Sequence, residues 1–502
     1  MTSEKQTLEE RASNRSQRPQ SDVFKKFIGE DWGPRPPAPK RNESADYTAV
    51  RRVTLGRQFL GERLVIPAGN LKIRVNDTDY RFRAHSSFIY LTGLSGEDEP
   101  GAVLVLHPLP NATSSSAETH ESVFYFHPRA SRASEEFYAD SRHGEFWVGA
   151  RASAADMEIA TGIKVAHIDS LRTDLAANLG TVPIRVLANS DPEIEALVAE
   201  LRSQAGLTTD ATEANAELVQ ALAEQRLIKD EYEISQTYTA IEATFAGFNR
   251  VLEAMPRALQ HRRGERVLEG AFVANAREEG NGVAFETIVA AGNNANTLHW
   301  IANDSPVNDG DLVLIDAGVE VDSLYNGDIT RTFPASGTFS ETQREVYDVV
   351  LEAAEATYAV ARTPGSRFKD LHAAAMEVFA KHLANWGMLP VSAEESLKPE
   401  NQYHRRWMPH GTSHHLGLDV HDGAQARRER YQDAVLEPGM IFTIEPGLYF
   451  RADDLKIPER FRGIGVRIED NILITTDGAV RMSEQIPRTA DDVEAWMARL
   501  AQ

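Results

Sequence analysis

Cysteine is absent from the 502 residues. That excludes a disulfide framework, thiolate metal sites and a thiol nucleophile. It fits a reducing cytoplasm, the expected compartment. Positive charge is also in short supply: 53 Lys and Arg stand against 75 Asp and Glu, a net charge of −22. A field of that sign repels nucleic acid and anionic membranes, so neither is an expected partner. No apolar run reaches the roughly 20 residues that a membrane-spanning helix needs. The opening MTSEKQTLEERASNRSQRPQ has no apolar stretch of the kind a secretory leader carries, so none is expected. What is present is a chain 42% hydrophobic, enough for sizeable cores, and long enough for two or three domains.

Residues 1–40 are polar and end in GPRPPAPK, which predicts an extension with a poorly ordered start and a Pro-rich surface segment. Residues 41–207 alternate strands with helices, the pattern of an α/β domain. ERLVIPAG, GAVLVLHP and ESVFYFHP read as strands, DLAANLG and DPEIEALVAELRSQAG as helices. Asp191 and Pro192 suit the N-cap and first position of the last of these. TDYRFRAHSSFIYLTGL reads as a loop leading to a strand end, and NATSSSAETH, 111–120, as a surface loop.

TTDATEAN, 208–215, is the expected joint to a second domain, 208–502. Apolar spacings of three and four predict helix from about 213 to 258, then over 263–278, 341–362 and 367–386. Ser340 with Gln343 forms a capping box, and Gly387 is a C-terminal stop. FETIVAAG, DLVLIDAGVEV, ITRTFPASG, MIFTIEPGLYF and GIGVRIEDNILIT read as strands. Two blocks of a helix pair followed by strands, 213–340 and 341–480, suggest an internal duplication. TADDVEAWMARLA closes the chain as a helix capped by Thr489. The fold class is α/β (α+β).

Five residues in apolar settings carry the chemistry. In LVLIDAGVEVDSLYNGDITRTF, Asp316 and Asp328 are 12 apart. A turn centred near Asp322 sets them opposite each other on antiparallel strands, with Cβ atoms about 4.5–5.5 Å apart. Carboxylates that close repel unless one is protonated or a cation lies between them. A turn at Asn326-Gly327 would separate them, so that dipeptide is read as a bulge that re-aims Asp328. HGTSHHLGLDVHDG, 410–423, holds His410, His414 and His421 in an irregular, glycine-flanked stretch, and Gly417 allows the chain to reverse parity. Glu445 ends the apolar MIFTIE, and Glu469 lies in VRIEDNILI two residues after Arg467. Buried acids need partners. Four carboxylates and one imidazole form a hard, oxygen-rich set that suits two divalent ions. Mn²⁺ is the first expectation, with Co²⁺, Zn²⁺ and Fe²⁺ as alternatives.

HGTSHHLGLDVHD, together with DAG…GDITRTF, TIEPGLY and GIGVRIED in that order, resembles the signature of proline-directed metallopeptidases with the pita-bread fold. The closest match within them is the Xaa-Pro aminopeptidase (aminopeptidase P) family, over about 215–485. FIYLTGL…GAVLVL at 88–106 echoes that family's N-terminal domain. The resemblance implies that Asp316, Asp328, His414, Glu445 and Glu469 are metal ligands. It implies that His299 in NTLHW, His410 and His421 line the substrate site, and that Glu445 also moves a proton. Tyr449 and Arg467 match positions behind the ligands. The implied reaction is hydrolysis of the N-terminal Xaa-Pro bond of a peptide by a metal-activated hydroxide, in a homodimer or homotetramer. A prolidase acting on Xaa-Pro dipeptides is the near alternative, and a pita-bread binding module without catalysis is a more distant one. Three departures stand out: the Asp316–Asp328 spacing is one residue longer than the family's, His415 stands where the family often has Trp, and Ile89 stands where a Trp can reach a neighbouring subunit.

Overall fold

The computed structural model describes residues 19, 21–76, 78–95 and 98–500, so the start of the expected N-terminal tail lies outside the described residues. The chain divides into two compact units at Leu222 and Ala223.

The first unit is built on a five-stranded sheet. Its order is Lys164–His167, His120–Phe126, Val103–Pro108, Arg63–Pro67, Ile184–Val186. The central strand runs antiparallel to both neighbours, and both edge strands join parallel. Val65, Val103, Val105 and Tyr125 pack against Leu171, Leu175 and Val198 from the helices. Fully burying one such side chain stabilises by about 1.5–3 kcal/mol.

Two expectations for this unit are corrected. SSFIYLT is a helix, Ser86–Thr92, not a strand end. The His85 side chain accepts from the Ser87 N–H at its start, and Gly93, at φ +68°, stops it. Every residue of the segment is buried, so it shows no period to separate helix from strand. The Pro-rich extension also contains a helix, Asp22–Gly29, capped by Ser21. Ile89 is 3% exposed within this unit.

The second unit opens with a break where continuous helix is expected. Thr212–Gln225 stops, and Glu231–Ala258 starts on an Asp230–Glu233 capping box. Between them the chain is drawn aside, the Lys229 N–H bonding to the Gly439 carbonyl. The other helices lie close to expectation, at Gly264–Glu279, Glu341–Ala361, Phe368–Asn385 and Ala490–Leu500. The Ser340–Gln343 box is present, and Gly387 follows its helix at φ +72°.

Two three-stranded antiparallel sheets carry the site. One orders Ile329–Pro334, Leu312–Ala317, Ile288–Ala291; the other Ile441–Ile444, Asp470–Thr475, Gly478–Arg481. The last of these strands was not expected. Its signal was the Asp477-Gly478 pair after an apolar run. A hairpin of Gly447–Phe450 with Ile464–Arg467 joins them. Val346, Val350, Met376 and Phe379 on the helices bury against Leu312, Leu314, Leu448 and Val466. That rigid backing fixes the strand ends from which the acids project.

Candidate metal centre

Asp316 and Asp328 meet, but in a different register from the one expected. Asp316 pairs with Thr330, and the ladder continues through the Glu320–Asn326 bridge without an inserted residue. Gly318 is therefore opposite Asp328, and the two aspartates are diagonal neighbours on one face. No bulge forms at Asn326-Gly327; the tip is Asp322–Leu324, with Leu324 at φ +68°. Gly318 is required because a Cβ there would lie 1.8 Å from the Gly327 carbonyl oxygen.

The stretch after His410 runs irregularly beside the Ile441–Ile444 strand. Thr443 N–H bonds to the His414 carbonyl, Leu416 N–H to Ile441, and Glu445 N–H to Thr412. These bonds place His414 level with the end of the strand that carries Glu445. His414 Nδ1 donates to the His415 carbonyl at 3.1 Å. That leaves Nε2 as the ligand atom, 3.4 Å from Asp328 Oδ2 and 3.7 Å from Glu445 Oε1. Atoms of Asp328, His414 and Glu469 lie within 4.8 Å of one another.

Arg467 joins this group through Asp316 rather than through its neighbour Glu469. Its Nη2 donates to Asp316 Oδ2 at 2.6 Å and its Nη1 to the Tyr449 hydroxyl at 2.9 Å. The Tyr449 hydroxyl in turn donates to His410 Nε2 at 2.7 Å, and His410 Nδ1 donates to the Gly411 carbonyl. Both ring nitrogens of His410 are thus engaged. His421 sets its ring perpendicular to that of His414, with centroids 4.4 Å apart. His421 and His299 are exposed, and His299 is near enough to act on the charge of His421.

The electrostatics record the crowding. Burial pushes Glu469 well above the usual carboxylate range, and Asp328, Asp316 and Glu445 push it further. Burial raises Glu445 to about 7 against the pull of His414 and Arg467. Burial and the Asp316 charge raise Asp328. Burial opposes charge on His414, but hydrogen bonding to Asp328 and the Glu445 charge outweigh it, taking His414 up to about 9. Burial, with Arg467 beside it, takes His410 down to about 3. His421 is lowered by burial and by His414 and His299.

Acids that must hold protons to coexist are acids that a divalent cation can hold instead. The residues fit such an ion. Asp316 Oδ1 is buried without a hydrogen-bond partner among the described residues. The donors are carboxylate oxygens and one imidazole with its outer nitrogen already fixed.

Residues 237–476 match the model of metallopeptidase family M24, and 48–185 match the aminopeptidase P N-terminal domain. Xaa-Pro aminopeptidase 2 of Streptomyces coelicolor is 46% identical over 91% of this chain and 92% of its own length. The chain belongs to the aminopeptidase P group of metallopeptidase family M24. The Xaa-Pro aminopeptidase of Escherichia coli is 33% identical over 90% of this chain and 97% of its own. A solved structure of zinc-substituted E. coli aminopeptidase P with product superposes with a TM-score of 0.77. It is 31% identical and covers 92% of this chain and 100% of that one. The Yersinia pestis enzyme gives 0.76 at 31% identity, covering 91% and 99%. The fold is therefore the aminopeptidase P arrangement, an N-terminal α/β domain before a pita-bread metallopeptidase domain.

Against that family background, His415 is accommodated as an aromatic. It stacks on Phe368 at 4.8 Å and 10°, meets Tyr431 edge-on, and is kept neutral by burial. Several residues that hold the ligands were missed from sequence. Thr330 Oγ1 donates to Glu469 Oε2 at 2.8 Å. Asn471 clamps the Asp328 backbone through both ends of its amide. Arg331 donates to the Glu469 carbonyl and to Asp470. His372 meets Thr412, and Arg405 meets the His410 carbonyl. Thr330, Arg331 and Asn471 did leave a signal: each is a polar residue in a short strand that also carries Ile329, Phe333 or Ile472.

Proposed function

We propose that this chain removes the first residue of peptides whose second residue is proline. In this reading Asp316, Asp328, His414, Glu445 and Glu469 hold two divalent ions, with Mn²⁺ as the resident metal. The observation that carries it is the gathering of Asp328, His414 and Glu469 inside one 4.8 Å group, with Glu445 Oε1 3.7 Å from His414 Nε2. The ions would supply acidification of a water and polarisation of the scissile carbonyl. Arg467 fixes Asp316, so that its other oxygen is free to bind. Glu445, 3.7 Å from His414 Nε2, is the ligand carboxylate that would also accept the water's proton. His299 and His421, both exposed beside the ligands, are the histidines available to a substrate. His410, neutral and tied to Tyr449, orients that side of the site until a substrate displaces one of its bonds.

A dedicated enzyme follows from the substrate. A Xaa-Pro bond has no N–H and a fixed φ, so sites built for strand-like backbones bind it poorly. The aminopeptidase P N-terminal domain over 48–185 favours an aminopeptidase over the prolidase alternative. A cysteine-free chain suits the cytoplasm, and by family likeness we infer a homodimer or homotetramer. The test is hydrolysis of Arg-Pro-Pro against Gly-Pro, before chelation, after it, and after Mn²⁺ is restored. Metal-dependent cleavage of the tripeptide is expected. Cleavage of the dipeptide alone would make the chain a prolidase, and a protein that retains no divalent ion and stays silent with Mn²⁺ would be a binding module.

A further inference from the structure

A second buried ionic cluster lies beside the metal centre and takes no part in the scheme above. Asp422, next to His421, is 1% exposed. Its Oδ1 is 2.5 Å from Arg226 Nη2, and its Oδ2 is 3.3 Å from Lys229 Nζ, whose side chain is fully buried. Arg226 Nη2 also reaches Asp419 Oδ2 at 2.5 Å. Both cations come from the short break between helices Thr212–Gln225 and Glu231–Ala258. Glycine is needed at 417, because a Cβ there would stand 2.1 Å from Asp422 Oδ2.

One carbonyl links this cluster to the ligands. The His415 carbonyl accepts from His414 Nδ1 at 3.1 Å and from the Asp422 N–H at 2.9 Å. The same oxygen therefore orients the ring of His414 and closes the loop that ends in His421 and Asp422. The two rings at its ends stand 4.4 Å apart. Buried charges held at several points resist displacement, since moving one leaves its partner unpaired in a dry site.

We propose that Asp422, gripped by Arg226 and Lys229, is a positioning residue that sets His414 and His421 through the His415 carbonyl. The role of the two histidines rests on the metallopeptidase reading; the role of Asp422 in orienting them is separable from it. Groups that orient metal-binding histidines are typically worth about 10–100-fold in metal affinity or activity. That range is the expected effect here.

The test compares Asp422→Ala, Lys229→Met, the double variant Asp422→Ala/Lys229→Met, and Asp419→Asn in the full chain. Mn²⁺ affinity by calorimetry, kcat and KM on Arg-Pro-Pro, and Tm are read for each. Asp422→Ala is expected to lose stability, about 10–100-fold in Mn²⁺ affinity, and kcat in the same range with KM within about threefold. The double variant removes the cation left bare. It is expected to recover Tm while metal affinity and kcat stay low, and it stands in for Asp422→Ala if the single variant does not fold. Asp419→Asn disturbs the same cluster at its exposed end and is expected to keep affinity and kcat within about twofold. Recovery of affinity and kcat in step with Tm in the double variant would reduce Asp422 to a structural part and overturn the proposal. So would equal losses in Asp419→Asn. An inactive wild type would refute the peptidase reading, yet the Mn²⁺ affinities would still decide the role of Asp422.

Discussion

Glu469 shows what the site does to a single side chain. It is 2% exposed, accepts one hydrogen bond from Thr330, and feels three other carboxylates. Its folded pKa is raised, so the native state holds a proton that the unfolded chain gives up above its ordinary value near 4.5. The penalty is absent below that value and grows as pH rises towards the folded pKa. Glu469→Gln keeps the shape and the Thr330 bond but needs no proton. In the metal-free protein the variant is expected to be more stable than wild type at pH 7.5 and equal to it at pH 4. With Mn²⁺ the order reverses, because wild type gains an ion that the variant holds poorly. Urea unfolding at both pH values, with and without metal, reads all four cases. A variant less stable at pH 7.5 without metal would contradict the crowding.

At the scale of strands and helices, Arg331 does for Glu469 and Asp470 what no backbone ladder does. It is fully buried in the Ile329–Pro334 strand. Its guanidinium donates to the Glu469 and Thr330 carbonyls, to Pro487 and Ile486, and to Asp470 Oδ1 at 2.7 Å. It therefore fastens one three-stranded sheet to the turn that presents Glu469. Arg331→Met leaves Asp470 with the more distant Arg481 at 3.4 Å. Breaking a buried pair this way removes about 3–5 kcal/mol. Arg331→Lys is expected to lose nearly as much, since an ammonium cannot span five acceptors. Chemical denaturation measures both, and a loss below about 1 kcal/mol in Arg331→Met would show that the staple is dispensable.

The same scale explains what could be read from the residues alone. Helices with one apolar stripe, such as Glu341–Ala361 and Phe368–Asn385, and strands of continuous burial, such as Arg63–Pro67, were visible because each signal is local. Ser86–Thr92 was not, because burial on every side erases its period and only His85 and Gly93 mark its ends. Asp316, Glu445 and Glu469 were visible as charges beside apolar runs, and Asp328 and His414 through the motifs that contain them. Their register was not: whether Asp316 faces Asp328 or Thr330 depends on where a three-residue tip settles. That tip is set by the left-handed Leu324, a residue with no such preference of its own. Arg467 stands two residues from Glu469 in the chain, yet it pairs across space with Asp316, 151 residues away. Long-range partners of this kind are outside any period in the chain.

For the molecule as a whole, these local shifts become a linkage between metal, protons and folding. Without metal, His414 carries a proton up to about pH 9 and Glu445 up to about pH 7. Both must lose it to become ligands, so loading should release protons, with more leaving at pH 6 than at pH 8. Titration calorimetry with Mn²⁺ in two buffers of different ionisation enthalpy gives that number directly. The apparent affinity should strengthen as pH rises and level off above about 9. Free metal at 100 times its Kd stabilises the native state by about 2.7 kcal/mol. That stabilisation should not be spread evenly over the chain. Hydrogen exchange should slow in 312–330, 410–422 and 440–475, where the ligands and their supports lie, and stay unchanged in the five-stranded sheet of the first unit. Proton release independent of pH between 6 and 8, or protection by Mn²⁺ that appears first in that sheet, would mean that the ion binds somewhere other than among these acids.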